Sequence, residues 1–203
     1  MKQAIISKDR CAWVRRAPED YIQYHDEEWG TPIHDDTVHF ELLTLEGAQA
    51  GLSWLTVLRK RAGYRQAFAQ FDVKTIAAYN AQDCQQCYND ARIIRNQLKI
   101  QATVHNARCF LKIQATFGSF DQYIWNFVGG QPQLNHWHHH QEVPAHTQLS
   151  DQISKDLKKK GFKFVGSRII YAYMQASGLV NDHTIDCFRH KELSQLARYS
   201  TNL

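Results

Sequence analysis

Near the end of the chain, in the stretch GLVNDHTIDCFRH, His183 stands four residues before Cys187. Four residues make about one helical turn, so this spacing predicts that an imidazole and a thiol share one face. Such a pair is half of a tetrahedral zinc site, and Cys11 and His25 would complete a Cys2His2 set. Four protein ligands leave no open position, so the zinc would be structural and would join the two ends of the chain. The spacing of Cys11 and His25 matches no short zinc motif, and ordinary core cysteines and histidines would also explain these residues.

Two other groups of residues compete for a metal. Cys84 and Cys87 form a C-x-x-C motif, but no second motif completes it and no strand precedes it, so we interpret it as a coincidence within a helix. Four histidines crowd a polar stretch, where we expect them to face solvent: His136, His138, His139 and His140. The five cysteines are odd in number and have no framework spacing, which favours a reducing cytoplasm over disulfides.

Residues 157–168, LKKKGFKFVGSR, place five basic residues around two glycines. The pattern predicts that a lysine-rich helix ends at Gly161 and that a second helix opens at Gly166. Such a helix–hairpin–helix, over about residues 155–182, could direct backbone N–H groups at a DNA phosphate. A solvated basic helix end with an ordinary glycine cap would give the same pattern. The predicted DNA contacts are Lys160, Gly161, Lys163, Gly166, Ser167 and Arg168.

Glu46 lies in an otherwise apolar segment and is followed by small residues, GAQAG. A carboxylate buried there costs several kcal/mol unless it is paired, so its position indicates a recognition site. Aromatic walls around one anion suit a flat cationic guest, which the rings stack on and the carboxylate hydrogen-bonds. The alternative is that the aromatic residues fill the core and Glu46 faces solvent. The candidate walls are Tyr21, Tyr24, Trp29 and Trp54, with Trp13 nearby.

The elements that position these residues are predicted to be helices almost throughout. Apolar residues recur with the helical period from Ile93 and again from Gly166 to Val180. Further helices are predicted over 37–51, 53–71 (with Ser53 as its cap), 71–80 and 119–128. The Gly-Gly and prolines of 128–146 predict the one long irregular stretch. The fold class is therefore all-α, with six or more helices and no convincing strand.

Composition bounds the remaining choices. The chain has 203 residues, of which 43% are hydrophobic, and we expect a single helical domain over 1–203. The net charge of +4 leans toward nucleic acid. No apolar run approaches the roughly 20 residues of a membrane helix, and the first residues lack a signal-peptide cleavage site, so we expect a cytoplasmic protein without a membrane partner. A monomer is the default expectation.

Four segments, RCAWV, YIQYHDEEWG, LEGAQAGLSWLTVLRKR and LKKKGFKFVGSRIIYAYMQASGLVNDH, resemble the DNA-3-methyladenine glycosylase I family of bacterial base-excision repair. The resemblance runs from about Cys11 to Cys187. It implies a helix–hairpin–helix glycosylase fold and one structural zinc, held by Cys11, His25, His183 and Cys187. It further implies that Glu46 and Tyr24 hydrogen-bond the excised base while Trp54 stacks on it, with Tyr21, Trp13 and Trp29 near the same pocket.

The reaction implied is hydrolysis of the N-glycosidic bond of 3-methyladenine in double-stranded DNA, after the base is flipped out of the stack. Superfamily relatives use an aspartate near the position of Asp182, although Asp182 could instead cap a helix or orient His183. No lysine stands out as a Schiff-base nucleophile, so no lyase activity is expected. The tail, 188–203, departs from the family pattern. The alternatives are a non-catalytic zinc-stabilised lesion-binding module, a hydrolase with a catalytic zinc, and a bifunctional glycosylase/lyase.

Overall fold

Helices dominate the computed structural model, which describes residues 8–199, with side chains through 195. The first seven residues and the last four of the predicted tail 188–203 lie outside the described residues. The helices are α1 Glu19–Glu27, α2 Asp36–Gln49, α3 Trp54–Leu58, α4 Arg61–Ala67, α5 Val73–Ala77, α6 Ala81–Asn89, α7 Gln97–Phe117, α8 Phe120–Trp125, α9 Gln148–Lys159, α10 Ser167–Ala176 and α11 Phe188–Tyr199. Short 3-10 helices cover Ala12–Val14, Ala69–Phe71, Asn126–Val128 and His140–Glu142. In the part of the chain that is described, no helix is long and apolar enough to cross a membrane.

The described chain divides into two compact units. The terminal unit comprises residues 8–32, 131–144 and 175–199, and the helical unit comprises 33–130 and 145–174. The mostly helical architecture expected from the apolar period is confirmed. The single domain over 1–203 stays a prediction.

The helical unit is built around α2 and α7. Helix α2 packs against α3, α7 and α8, while α5 and α6 pack against α7. Its core is aromatic: the ring centroids of Phe40 and Phe110 lie 5.2 Å apart, and those of Phe110 and Phe120 lie 4.3 Å apart. Ile100, predicted from the helical period, is buried in α7. Two long helices thus provide the rigid frame from which the loops project.

Polar caps fix where these helices begin. Ser53 accepts a hydrogen bond from the Thr56 N–H, so the predicted restart after Gly51 is confirmed. The predicted single helix over 53–71 is wrong, because the segment divides into α3, α4 and a 3-10 turn. The last break has a clear backbone cause: Ala69–Phe71 all have positive φ, a conformation that an α-helix of L-residues cannot continue.

Helix α10 ends earlier than the sequence pattern predicted. Gly178 has φ +72°, and a Cβ there would lie 2.4 Å from the Pro32 nitrogen, so glycine permits a turn that no other residue could make. After it, Val180 belongs to a two-residue strand, β2 Val180–Asn181, instead of a helix. This strand pairs in parallel with β1, Gln133–Leu134, which lies inside the stretch predicted to be irregular.

Candidate functional site

Four buried side chains of the terminal unit converge on one point. Cys11 precedes the first 3-10 helix, His25 lies on α1, and His183 and Cys187 lie between β2 and α11. Their ligand atoms all lie within 4.8 Å of one another. The prediction that His183 and Cys187 share a face of a helix is wrong. They lie in a turn, which is closed by a 2.8 Å hydrogen bond from the Cys187 N–H to the Thr184 carbonyl. The turn nevertheless brings both side chains to the cluster.

Contacts on the far side of each imidazole set its orientation. His25 Nδ1 lies 2.8 Å from an Asp26 carboxylate oxygen, and His183 Nε2 lies 3.0 Å from the Trp29 carbonyl. Carboxylates and carbonyls only accept, so these two nitrogens carry the protons. His25 Nε2 and His183 Nδ1 therefore present lone pairs to the cluster, and each lies 3.5 Å from the Cys187 sulfur. Outer contacts of this kind orient histidine ligands at metal sites.

Asp26 is in turn held by Arg10, whose guanidinium donates to both carboxylate oxygens, the shortest bond being 2.7 Å. Burial opposes ionisation of Asp26, but the hydrogen bonds from Arg10 and His25 outweigh it, so the pKa of this carboxyl lies below its usual value. Sequence reasoning missed Asp26, although an acid directly after a histidine ligand in YHDEEW is a usable signal.

The thiols are suited to a cation. The pKa of Cys187 lies well below its usual value, because Cys11 donates a hydrogen bond to its sulfur, while burial opposes the shift. Thiolates are the form that binds metal. Two sulfurs and two nitrogens in a fully buried setting match the donor set of structural zinc, with no ligand position open. The residues therefore fit the metal that the sequence suggested.

Aromatic rings surround this cluster within the terminal unit. The Trp29 and His183 centroids are 4.6 Å apart, and Trp13 lies 5.2 Å from Trp29 and 5.0 Å from Tyr21. Tyr21 stacks on Tyr24 at 6.4 Å. The aromatic residues that the sequence assigned to the base pocket in this part of the chain thus form one connected group. Because Trp29 packs against His183, the Cys2His2 cluster fixes the position of this aromatic group.

Glu46 is a buried acid of the helical unit. It lies near the end of α2 with 4% of its surface exposed, so the alternative that it faces solvent is wrong. Its Oε2 accepts no hydrogen bond from the described residues. Burial raises the pKa of this carboxyl to about 8. Glu41, one and a half turns earlier, is also buried but is paired with Arg61 and Arg65. No ion pair of this kind joins Glu46 to a cation among the described residues.

An open cleft of about 350 Å³ adjoins Glu46. This volume lies within the range of about 300–1,000 Å³ usual for small-molecule sites. Trp54 is buried at the start of α3, directly beyond the turn that bounds the cleft. The lining residues are Glu46, Gln49, Ala50, Gly51, Leu52, Arg168, Ile169 and Ala172.

The turn between α9 and α10 carries the predicted DNA contacts. Gly161 has φ +94° and Gly166 accepts the first hydrogen bond of α10 at its carbonyl, from the Ile170 N–H. Lys163 and Arg168 are exposed. Lys160 forms an ion pair within the protein, its ammonium lying 3.1 Å from the Asp156 carboxylate. The predicted order of helix, glycine turn and helix is therefore present, and Ser167 is the first residue of α10.

Asp182 is buried and accepts hydrogen bonds from Asn135, Trp137 and Gln175, at 2.6, 2.8 and 2.7 Å. These donors connect it to the 135–137 segment and to the end of α10. In these three contacts it neither caps a helix nor orients His183. They give Asp182 an organising role inside the terminal unit.

The two competing metal candidates, the C-x-x-C motif and the histidine cluster, form no group of potential metal ligands among the described residues. Cys84 and Cys87 lie on α6, as interpreted from the sequence. The four clustered histidines are exposed, which confirms their expected position. Among residues 8–195, the sole group of three or more potential ligands is Cys11, His25, His183 and Cys187.

Comparisons with known proteins agree on one family. The family model described as "Methyladenine glycosylase" matches residues 13–190. DNA-3-methyladenine glycosylase 1 of Escherichia coli K12 is 49% identical over 179 residues, which cover 88% of this chain and 95% of that protein. A crystal structure of 3-methyladenine DNA glycosylase I is 48% identical with a TM-score of 0.86, covering 89% of this chain and 98% of the other. A variant of 3-methyladenine DNA glycosylase I in complex with 3-methyladenine is 36% identical with a TM-score of 0.85, covering 88% and 96%.

Proposed function

Because the chain belongs to the methyladenine glycosylase family, we propose that it is a base-excision repair enzyme that releases 3-methyladenine from alkylated DNA. The family match and the relative in complex with 3-methyladenine support the substrate. The observation that carries the proposal within this chain is Glu46, a buried carboxyl beside an open cleft with no cation partner among the described residues.

The chemistry of the substrate explains why such an acid is useful. Methylation at N3 gives the base a positive charge and weakens its bond to the sugar. A buried acid attracts a cation far more strongly than an exposed one does. The carboxyl of Glu46 has a pKa of about 8, so it is mostly protonated at neutral pH until the charged base arrives and favours its ionised form. An uncharged adenine would offer no such compensation, so the site discriminates by charge.

The other base contacts come from the family resemblance. Tyr24 is proposed to hydrogen-bond the base with Glu46, and Trp54 to stack on it. Tyr21, Trp13 and Trp29 are proposed to line the same pocket.

The reaction itself is a hydrolysis. The base is flipped into the pocket, and the bond between its N9 and the sugar C1′ breaks with both electrons leaving on the base. Water then bonds to C1′ and gives up a proton, which leaves an abasic site and free 3-methyladenine. Pairing of the base with Glu46 positions it, and the site stabilises an oxocarbenium-like sugar. No lysine is assigned a nucleophilic role, so we propose a monofunctional enzyme without lyase activity.

The segment from α9 to α10 is proposed to grip the backbone of double-stranded DNA as a helix–hairpin–helix. Its turn offers glycines that let a phosphate approach and the N-terminus of α10, which favours an anion. The exposed side chains of Lys163 and Arg168 support the proposal. We propose a monomer acting in the bacterial cytoplasm.

Zinc is proposed at the Cys2His2 cluster in a structural role. The metal would contribute folding free energy, because its site does not exist in the unfolded chain. The metal would join two segments of the terminal unit: the early segment that carries Cys11 and His25, and the late segment that carries His183 and Cys187. The ring orientations fixed by Asp26 and Trp29 support this assignment.

Release of 3-methyladenine from methylated duplex DNA tests the proposal. Wild type is expected to release the base, and Glu46→Gln is expected to do so about 10- to 150-fold more slowly, the equivalent of a charged hydrogen bond worth about 1.5–3 kcal/mol. Glu19→Gln, the same change at an exposed position of α1, should match wild type. Tight binding without base release would instead show a lesion-binding module. Equal rates for Glu46→Gln and wild type would refute the role of Glu46.

A further inference from the structure

A lysine of helix α7 contacts the backbone carbonyls at the C-terminal end of helix α2. The Lys99 ammonium donates hydrogen bonds to the Ala48 carbonyl at 2.7 Å and to the Ala50 carbonyl at 2.8 Å. The last carbonyls of a helix lack partners within it and carry partial negative charge, so a cation such as half-buried Lys99 is stabilising there. Lys99 thus holds the turn that follows Glu46 and bounds the cleft.

The same helix also holds the turn between α9 and α10. Asn106 donates to the Lys163 carbonyl at 2.9 Å and accepts from the Lys163 N–H at 2.8 Å. His105 Nε2 donates to the Gly161 carbonyl at 2.8 Å. Lys163 therefore has both backbone polar groups fixed by one side chain. Asn106 follows Lys99 by seven residues, or about two helical turns, so the two share a face of α7.

The two segments held in this way touch each other. A Cβ at Gly47, the residue after Glu46, would lie 3.3 Å from the Phe164 Cβ in the turn. A small cavity of about 20 Å³ is lined by both segments and by the face of α7, through Thr44, Gly47, Phe164, Lys99, Thr103 and Asn106. This contact region thus links the position of the DNA-gripping turn to that of the acid.

We propose that Lys99 and Asn106 are positioning residues that hold the DNA-gripping turn and the end of the Glu46 helix in a fixed relation. The inference rests on the proposed function. Asn106 fixes the turn that binds the DNA backbone, and Lys99 fixes the position of the cleft and of Glu46. A base flipped from the gripped strand then reaches Glu46 without further adjustment. A displacement of about 1 Å away from the reacting atoms can slow an enzyme about 100-fold.

Two measurements separate the roles: the dissociation constant for methylated duplex DNA and the single-turnover rate of base release at saturating DNA. For Asn106→Ala we expect about tenfold weaker DNA binding and a saturated rate within about twofold of wild type. For Lys99→Met we expect the reverse, a saturated rate about tenfold lower and nearly unchanged DNA affinity. Lys99→Arg should recover the rate to within about threefold, because a guanidinium can also donate to two carbonyls.

Matched controls are available in the same unit. Lys74→Met removes one positive charge from an exposed position of α5, and Gln101→Ala shortens an exposed side chain of α7; both should match wild type. If Asn106→Ala does not fold, Asn106→Asp, which keeps the acceptor and loses the donor, should show the same loss of affinity. Variants that change neither quantity, or that each weaken DNA binding and slow base release together, overturn the inference while the proposed function stands. A wild-type protein that releases no base overturns both.

Discussion

Replacing Glu46 by glutamine should make the protein more stable at neutral pH while it slows base release. The carboxyl pKa is raised from 4.5 to about 8 by burial. As the pH rises above 4.5, the unfolded chain loses this proton while the folded chain keeps it, so the folded state loses stability until the pH passes about 8. Glutamine does not ionise and escapes this loss.

The size of the effect follows from the interval between the two pKa values. Each pH unit in which only the unfolded chain is ionised costs 1.36 kcal/mol, so wild type is destabilised by about 3 kcal/mol at pH 7. In a chain of this size, 1 kcal/mol corresponds to roughly 2–4 °C in the midpoint of thermal unfolding. Glu46→Gln is therefore expected to melt about 6–12 °C higher than wild type at pH 7 and to match it at pH 4.5.

Thermal or urea unfolding at pH 4.5, 6, 7 and 8 gives the difference directly. Glu41 supplies a control on the same helix, because it is equally buried but paired with Arg61 and Arg65. Glu41→Gln should destabilise the protein at pH 7 by about 1.5–3 kcal/mol, since it removes the charged hydrogen-bond partner of half-buried Arg61 and of exposed Arg65. The same substitution thus has opposite signs at two positions. A Glu46→Gln protein whose stability relative to wild type does not change between pH 4.5 and 8 would refute the view of Glu46 as a desolvated acid.

Two further substitutions test the terminal unit. Cys187→Ala should abolish stoichiometric zinc and lower the unfolding midpoint toward that of chelator-treated wild type, as measured by elemental analysis and calorimetry; full zinc occupancy would contradict the proposed ligand set. Asp182→Asn should destabilise the chain by about 1–3 kcal/mol, because a buried acceptor of three hydrogen bonds is replaced by an amide that also donates. Urea unfolding measures this, with exposed Asp151→Asn as the control, and equal losses for both variants would count against the organising role.

The sequence predicted the helices well because their signals are local. The apolar residues of α7 recur with the helical period, and the serine that caps α3 is adjacent to the helix it starts. The errors arose where backbone conformation decided the outcome. The positive φ values of Ala69–Phe71 belong to residues that usually avoid them, so no residue type announced the break before α5.

The metal cluster lay beyond local reasoning for a different reason. Cys11 and His183 are 172 residues apart, and their approach depends on how the whole terminal unit folds. Residue types suggested the set, and the resemblance to a family gave the four positions, but spacing alone matched no zinc motif. The contacts that support the site were harder still: a carbonyl such as that of Trp29 has no signature in the sequence at all.

Glu46 and Lys99 show two ways in which an ionisable group can be placed near the same helix end. Lys99 satisfies backbone carbonyls in the folded protein, so its partners are permanent and its charge supports the structure. Glu46 Oε2 has no such partner among the described residues, so its desolvation is compensated only when a cation enters the cleft. We propose that Lys99, by holding this helix end, keeps the acid from turning outward to water. The opposite effects expected for Glu41→Gln and Glu46→Gln follow from a similar difference in pairing: Glu41 is paired with Arg61 and Arg65, whereas Glu46 Oε2 has no partner among the described residues.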